Sequence, residues 1–437
     1  MSKIIVAGAG HGGLTAAYNL AKAGHSVTVF EKNDPQETGH DWHDGLSLFT
    51  FDRVNMPRPD KSLLTPNKDM LFYNPKKSVS LELNFPENPN TVFIDRQNLV
   101  RHLVKCCEEA GVVFHFNTEV ICAACNANRV RGIKIRDKDG KPKTVFADLV
   151  IDAAGMDSPV RKSLPKSFGI MNEIPDKDAF FVYRAYYEKT DESRLDPRYT
   201  NYFFHCGHPG MDWMITEEDY MDVLIGQFGG ITEEDVTEAL SDFREEYPYL
   251  GEKLLRGGKI NKIPLTKTLP KITANGYAAV GDSAGMTVPL NGCGIDLSMR
   301  AGGLLAKAVS GVTDSNFSEK RLWPYHQRYC LIHGNKLVII AVLRAFLASL
   351  KQENIDFIME KNILTATEIN MANGDMSAIN FAYIIKKLKA ILPQGYLIPA
   401  AIKSMRGVLS LKKISSDIPG EYNATSIRKW QKLYESI

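Results

Sequence analysis

Cysteine is sparse and irregular. Seven thiols in 437 residues, an odd number at no repeating interval, exclude a disulfide framework and fit a reducing compartment. No sign of charge dominates: 53 Lys+Arg stand against 51 Asp+Glu, so no global field draws the chain to nucleic acid, and a nucleic-acid role is excluded. Long apolar runs are also missing. The longest, LVIIAVLRAFLASL at 337–350, is broken by Arg344 and too short to span a bilayer. The N-terminal MSKIIVAGAG enters a strand pattern at once and leaves no room for a secretory leader, so a cytoplasmic protein is expected. There is no internal repeat and no low-complexity linker, and the length suits two or three domains.

What is present begins with KIIVAGAGHGGLTAAYNLAKAGHSVTVFEK, a strand, a glycine turn, a helix and a second strand. Gly8, Gly10 and Gly12 allow a tight turn and close approach to a pyrophosphate, and Gly13 lets the helix pack on the strand. Glu31 ends the second strand, 23 residues after Gly8. A carboxylate there accepts both hydroxyls of an adenosine ribose and argues against a 2′-phosphate. This fingerprint does not separate NAD from FAD.

A second segment does. NGYAAVGDSAGMTVPLNGCGIDLSMRAGGLLAKAV, 275–309, has a strand ending at Gly281-Asp282, a Pro/Gly loop, and a long helix opening near Gly294. Asp282 can hold a sugar-like hydroxyl while the helix N-terminus offers amides to an electron-rich ring, which suits an extended FAD.

On GAGHGG, IDRQNLVRHLV, DLVIDAAGMDSPVR and GDSAGMTVPLNGCGI, the chain resembles the FAD-dependent geranylgeranyl reductase family, within the larger group of para-hydroxybenzoate hydroxylase and the flavin halogenases. The resemblance implies that Arg96 and Val120 contact FAD and that Asp282, Gly294 and Ile295 hold its ribityl and ring parts. It also implies that the loop DWHDG lies beside the flavin, with Gly45 at the family glycine and Trp42 and His43 against the cofactor. His43 is the expected proton donor and Trp213 a cavity wall. Alternatives stay open: Arg96 as a surface arginine, His43 as a solvated loop histidine, Trp213 as core. A metal site on His40, Asp41, His43 and Asp44, all on one short loop, lacks a distant partner of suitable spacing, so no metal is expected.

The pattern also departs from the family. Pro209 and Trp213 match part of a substrate-domain Pro/Tyr/Trp motif whose Tyr and Phe-Pro are absent, and Ala154 replaces the acid that hydroxylases carry before Gly155. The expectation is an FAD-dependent oxidoreductase that reduces a carbon-carbon double bond of a hydrophobic, isoprenoid-like substrate. The alternatives are a two-component flavin monooxygenase or halogenase, and a non-catalytic electron-transfer or ligand-binding flavoprotein. The electron donor, whether NAD(P)H, reduced flavin or a ferredoxin-like protein, is open.

The fold expected is α/β: a Rossmann-like FAD-binding domain of the second glutathione-reductase type (1–60, 91–170, 260–313), an inserted mixed β-sheet substrate domain (61–90, 171–259) and a C-terminal α-helical domain (314–437). Cys122 and Cys125 form CAAC on a predicted strand, where residues three apart face opposite ways, so a structural pair is expected rather than a redox site. The stretch 376–416 has seven basic residues and no acid. It reads either as a solvated helix face or as a peripheral contact with an anionic membrane.

Overall fold

A computed structural model describes residues 1–84, 90–204, 210–372, 386–387, 389–390, 395 and 397–436. Its centre is a six-stranded sheet in the order 273–274, 277–279, 149–152, 3–7, 26–30, 113–115. All neighbours run parallel except the first pair. Strands Lys3–Ala7 and Leu149–Asp152 are buried except at Lys3, as their apolar runs IIVA and LVI require of a parallel sheet covered on both faces. Ala7 pairs with both Asp152 and Phe30, so Gly8, Ala153 and Glu31 leave the sheet side by side at its carboxyl edge. That edge is where a parallel sheet binds ligands.

Two helices cross beneath this edge, His11–Lys22 and Ile295–Val309. Their backbones touch through glycine. A Cβ on Gly302 would lie 2.1 Å from the Gly12 carbonyl, and one on Gly12 would lie 2.6 Å from the Ser298 carbonyl. The crossing brings both helix N-termini to the same cleft. A buried network braces the far side: Asp152 accepts from Ser158 Oγ at 2.6 Å and Tyr277 OH at 2.9 Å. The meander expected near 117–147 forms strands Glu119–Asn126, Arg129–Arg136 and Pro142–Phe146, and Cys122 and Cys125 on its first strand are free thiols.

A seven-stranded sheet follows, ordered 250–264, 179–189, 220–228, 211–216, 199–204, 69–73, 80–83. Alternation along Ala179–Lys189 sorts its side chains. Tyr183, Ala185 and Tyr187 pack with Phe243 of helix Glu233–Glu246, while Phe180, Val182, Arg184 and Tyr186 face the nucleotide-binding sheet. That helix starts at Thr232, whose side chain accepts from Asp235 N at 3.1 Å while Asp235 returns a bond to Thr232 N. Leu64–Pro66, expected in the second domain, pairs instead with Thr91–Asp95, which also pairs with His43–Ser47.

Helices fill the C-terminal region. Glu319–Ala348 is, among the described residues, one stretch long and apolar enough by length and composition to cross a membrane. About half of it is buried in the fold: Trp323, Tyr325, Tyr329 and Val338 are core, and Trp323 and Val338 cluster with Ile427, Trp430 and Tyr434 of the last helix. Its arginine, Arg344, lies against Phe228 and near Asp178.

His326 sits wholly buried beside Trp323 and Trp430, and burial, with Lys271 adding to it, pushes its pKa to about 3. Burial, then Arg300, Lys336 and Arg53, lower His333 to about 4. Both folded-state values lie below the unfolded value near 6.5, so the unfolded chain takes up these protons first. The stability these neutral rings carry is therefore full above pH 6.5 and lost as pH falls through 4 to 3, at roughly 1.4 kcal/mol per pH unit per histidine. Denaturant titrations from pH 7 to pH 4 should show this loss, with a shallower slope in His326→Phe. Equal slopes for wild type and variant would refute the assignment.

Candidate functional site

A cleft of about 860 Å³ opens at the carboxyl edge of the parallel sheet. Its floor is the glycine turn. Gly8 has φ +87°, and a Cβ there would lie 2.7 Å from the Ala153 carbonyl, so only glycine lets the two loops meet. Helix His11–Lys22 begins at Gly10 with no side-chain cap and no acid in its first turn. Its amides and dipole are left for an anion.

Glu31 is buried at one end of the cleft. One oxygen accepts from Ala9 N at 2.8 Å and the other from Asn33 N at 2.9 Å. The carboxylate thus ties the turn to the strand, and each oxygen keeps a second lone pair for a hydroxyl. At the other end lie Asp282 and Gly294, the latter capping helix Ile295–Val309 without a side-chain bond. Burial raises the Asp282 pKa and Arg96 pulls it back.

Two atoms test whether FAD fits. His11 Nε2 and Arg96 Nε are buried without a hydrogen-bond partner among the described residues, and both side chains line the cleft. Buried polar atoms are rarely left unpaired. Donors on the wall, an uncapped helix N-terminus in the middle, a ribose-binding acid at one end and a second helix N-terminus at the other match an extended dinucleotide.

The loop His40–Gly45 turns out to be a joint. Its acids are spent on arginines: Asp41 on Arg256 at 2.5 Å, and Asp44 on Arg96 at 3.1 Å and Arg184 at 3.6 Å. Arg256 also pairs with Asp95, the cap of the Arg96 helix. Trp42 donates from Nε1 to Asp44 at 2.9 Å, and His40 stacks on it at 4.2 Å with the rings 3° apart. Burial, with the Arg96 charge, holds His40 at a pKa of about 3, so its imidazole is neutral.

Of the expected residues, Gly8, Gly10, Gly12, Glu31, Trp42, Arg96, Asp282 and Gly294 line the cleft. Six others do not, and each has a physical reason. Gly13 packs helix on strand: a Cβ there would lie 2.5 Å from Ala153 Cβ. Gly45 is an exposed strand residue opposite Phe93. Val120 and Ile295 turn into the core. Trp213 lies on the seven-stranded sheet beneath the Arg184 guanidinium, 5.1 Å away.

His43, expected against the cofactor, is not among the residues that line this cleft. Neighbours on extended chain face opposite ways, so seating Trp42 on the cleft turns His43 toward the sheet. There its backbone N–H donates to Tyr186 OH at 2.9 Å and its Nδ1 lies 3.3 Å from the same oxygen.

The residues missed are His11, His40, Arg184 and Asn261, all on the cleft. A lone arginine on the inward register of AFFVYRAYYEK was the available signal for Arg184, because a cation on an apolar face needs a built partner. Nothing local marked the others.

Residues 1–184 match the family model described as FAD binding domain. The cofactor is FAD. Across nearly the whole chain, the protein is similar to the digeranylgeranylglycerophospholipid reductase of Sulfolobus acidocaldarius, at 22% identity over 99% of this chain and 96% of the relative. It is 26% identical to reductase 1 of that name from Methanococcoides burtonii, over 81% and 85%. A geranylgeranyl bacteriochlorophyll reductase-like protein from Thermoplasma acidophilum superposes with a TM-score of 0.73 at 21% identity, covering 93% and 99%. The myxobacterial chondrochloren halogenase does so with 0.61 at 18%, covering 99% and 96%. The chain is a flavoprotein oxidoreductase with this shared fold.

The geometry separates two histidines. His40→Ala should change the visible absorption and fluorescence of bound flavin by removing the ring stacked on Trp42, while His43→Ala should leave the spectrum as in wild type. A change confined to His43→Ala would restore the expectation from sequence.

Proposed function

We propose that this flavoprotein reduces carbon-carbon double bonds in an isoprenoid-chain lipid. The observation that carries the reading is Trp42, which belongs both to the cleft wall and to an apolar cluster with Phe180, Val182, Tyr186, Leu224 and Leu265. Partly buried Met211, Trp213, Tyr220, Phe228 and Ile263 extend that cluster across the seven-stranded sheet. A hydrocarbon chain laid on this face meets the cofactor cleft at Trp42. The full-length likeness to reductases named for a geranylgeranyl lipid supports the same substrate class.

Bound FAD supplies the hydride. The chain supplies exclusion of water and a proton. Tyr186 OH already accepts the His43 backbone N–H, so its own hydrogen is free to point at His43 Nδ1, which leaves the ring hydrogen on Nε2. In this reading the Tyr186–His43 pair delivers the proton from the sheet side. Burial, then Arg256, lowers the His43 pKa, while Asp95 and Asp222 oppose the shift. Trp213 serves as a wall of the substrate face. Pro209, its expected companion, lies outside the described residues.

The test is anaerobic. Reduced holoprotein is mixed with a geranylgeranyl-chain glycerophospholipid in detergent, and flavin reoxidation and product mass are followed. The expected result is reoxidation with a mass gain of two hydrogens per double bond, slowed at least about tenfold in Tyr186→Phe by loss of the relayed proton. Incorporation of oxygen or halide when air and halide are admitted, without any hydrogenated product, would replace this reading with the oxygenase or halogenase one.

A further inference from the structure

The surface over the turn Cys330–Gly334 combines exposed apolar side chains with an excess of cations. The turn is π-helical and sits inside the helical stretch 319–348. Such turns insert a residue into the helix and are frequent at functional sites. Here Leu331 and Ile332, adjacent in sequence, are 42% and 43% exposed, while Tyr329, Cys330, His333 and Gly334 around them are buried. Arg328 and Lys336, both exposed, flank the pair one turn to either side. A second element adds to the face. In the short helix Phe49–Arg53, Phe49 is 46% exposed and Arg53 is its neighbour one turn on.

The two elements are close. The charges of Arg53, Arg300 and Lys336 all act on the His333 imidazole. The acids nearby are committed. Asp52 is held by Arg58 through bonds of 2.9 and 2.5 Å, and the same guanidinium lies over the Phe49 ring at 5.9 Å. Asp296 lies beneath, accepting from Ser47 N at 3.3 Å and facing Arg300 and Arg53. Arg53 and Arg300 face this one carboxylate, and with Lys336 they surround His333.

We propose that this face docks on an anionic lipid surface, with Phe49, Leu331 and Ile332 entering between head groups and Arg53, Arg328 and Lys336 meeting phosphates. Apolar side chains ringed by cations are what such a surface recognises. A single lipid-facing patch also accounts for a long helix that is apolar yet half buried: it lies along the interface rather than crossing it. The location suits delivery of a lipid. Arg300 is six residues from Gly294 on one helix, about 9 Å at 1.5 Å per residue, so the docked face is close to the cofactor cleft.

The patch differs from the basic stretch 376–416. Residues 376–385, 388, 391–394 and 396 of that stretch lie outside the described residues, and Lys387 there pairs with Glu368 at 2.9 Å. The docking proposal adds a route of entry to the reductase reading. Its test reads vesicle binding without turnover, so either can fail alone.

FAD-loaded protein is floated with vesicles of phosphatidylglycerol and phosphatidylcholine, and with phosphatidylcholine alone. Wild type should float with the anionic vesicles only. The double variants Leu331→Ser/Ile332→Ser and Arg53→Glu/Lys336→Glu should each weaken partition about tenfold or more, and Lys403→Glu/Arg406→Glu should float like wild type. Flavin content equal to wild type in each variant verifies the fold. The proposal is overturned if wild type stays in the soluble fraction, if the first two variants float like wild type, or if only Lys403→Glu/Arg406→Glu loses binding. It is equally overturned if light scattering shows a dimer that Leu331→Ser/Ile332→Ser dissociates while vesicles are ignored. That outcome assigns the face to a second copy of the chain.

Discussion

A buried guanidinium joins the two halves of the site. Arg184 is 2% exposed, on the face of the seven-stranded sheet that looks toward the nucleotide-binding domain. Its Nε and Nη2 bind the two oxygens of Asp222 at 2.9 and 2.5 Å, and Nη1 donates to the His43 carbonyl at 2.7 Å. Trp42 and Trp213 lie 5.8 and 5.1 Å from the guanidinium carbon. A charge taken out of water costs several kcal/mol unless paired, and removing one partner of such a pair costs about 3–5 kcal/mol. The loop His40–Gly45 is therefore fixed to the sheet by a contact whose loss is expensive. Arg256, binding Asp41 and Asp95, repeats the device on the neighbouring strand.

The position of that loop decides the chemistry around the cleft. With Arg184 and Arg96 both near Asp44, the Trp42 indole is held on the cleft wall and His40 is stacked on it. The same constraint sends His43 to Tyr186. On the nucleotide side, the glycine contact of Gly12 with Ser298 and Gly302 fixes where two helix N-termini point. One frame is set by backbone contact, the other by buried charge, and they meet at Trp42.

Much of the nucleotide frame was legible in the sequence because it is local. Strand, glycine turn, helix, strand and acid follow one another within thirty-one residues, and each has a residue type suited to its place. The orientation of DWHDG was not legible. It depends on Arg184 and Arg256, more than a hundred residues away, and on a strand register in which a one-residue difference exchanges Trp42 for His43. Val120 and Ile295 had suitable neighbours in sequence but face inward, a matter of packing rather than spacing. The exposed pair Leu331-Ile332 was hidden just before an apolar run, since only the π-helical turn tells which of its residues leave the core.

The central claim is that a buried ion pair on the substrate sheet holds the cofactor loop in place. The direct measurement is the FAD dissociation constant of Arg184→Met, compared with wild type and with Arg184→Met/Asp222→Leu. The single variant leaves Asp222 buried and unpaired and frees the loop, so FAD should bind at least about tenfold more weakly, a difference of ~1.4 kcal/mol. The double variant, with no orphaned charge, should recover folding stability but not the affinity, because the bond to the His43 carbonyl is still missing. Wild-type affinity for FAD in Arg184→Met would contradict the account.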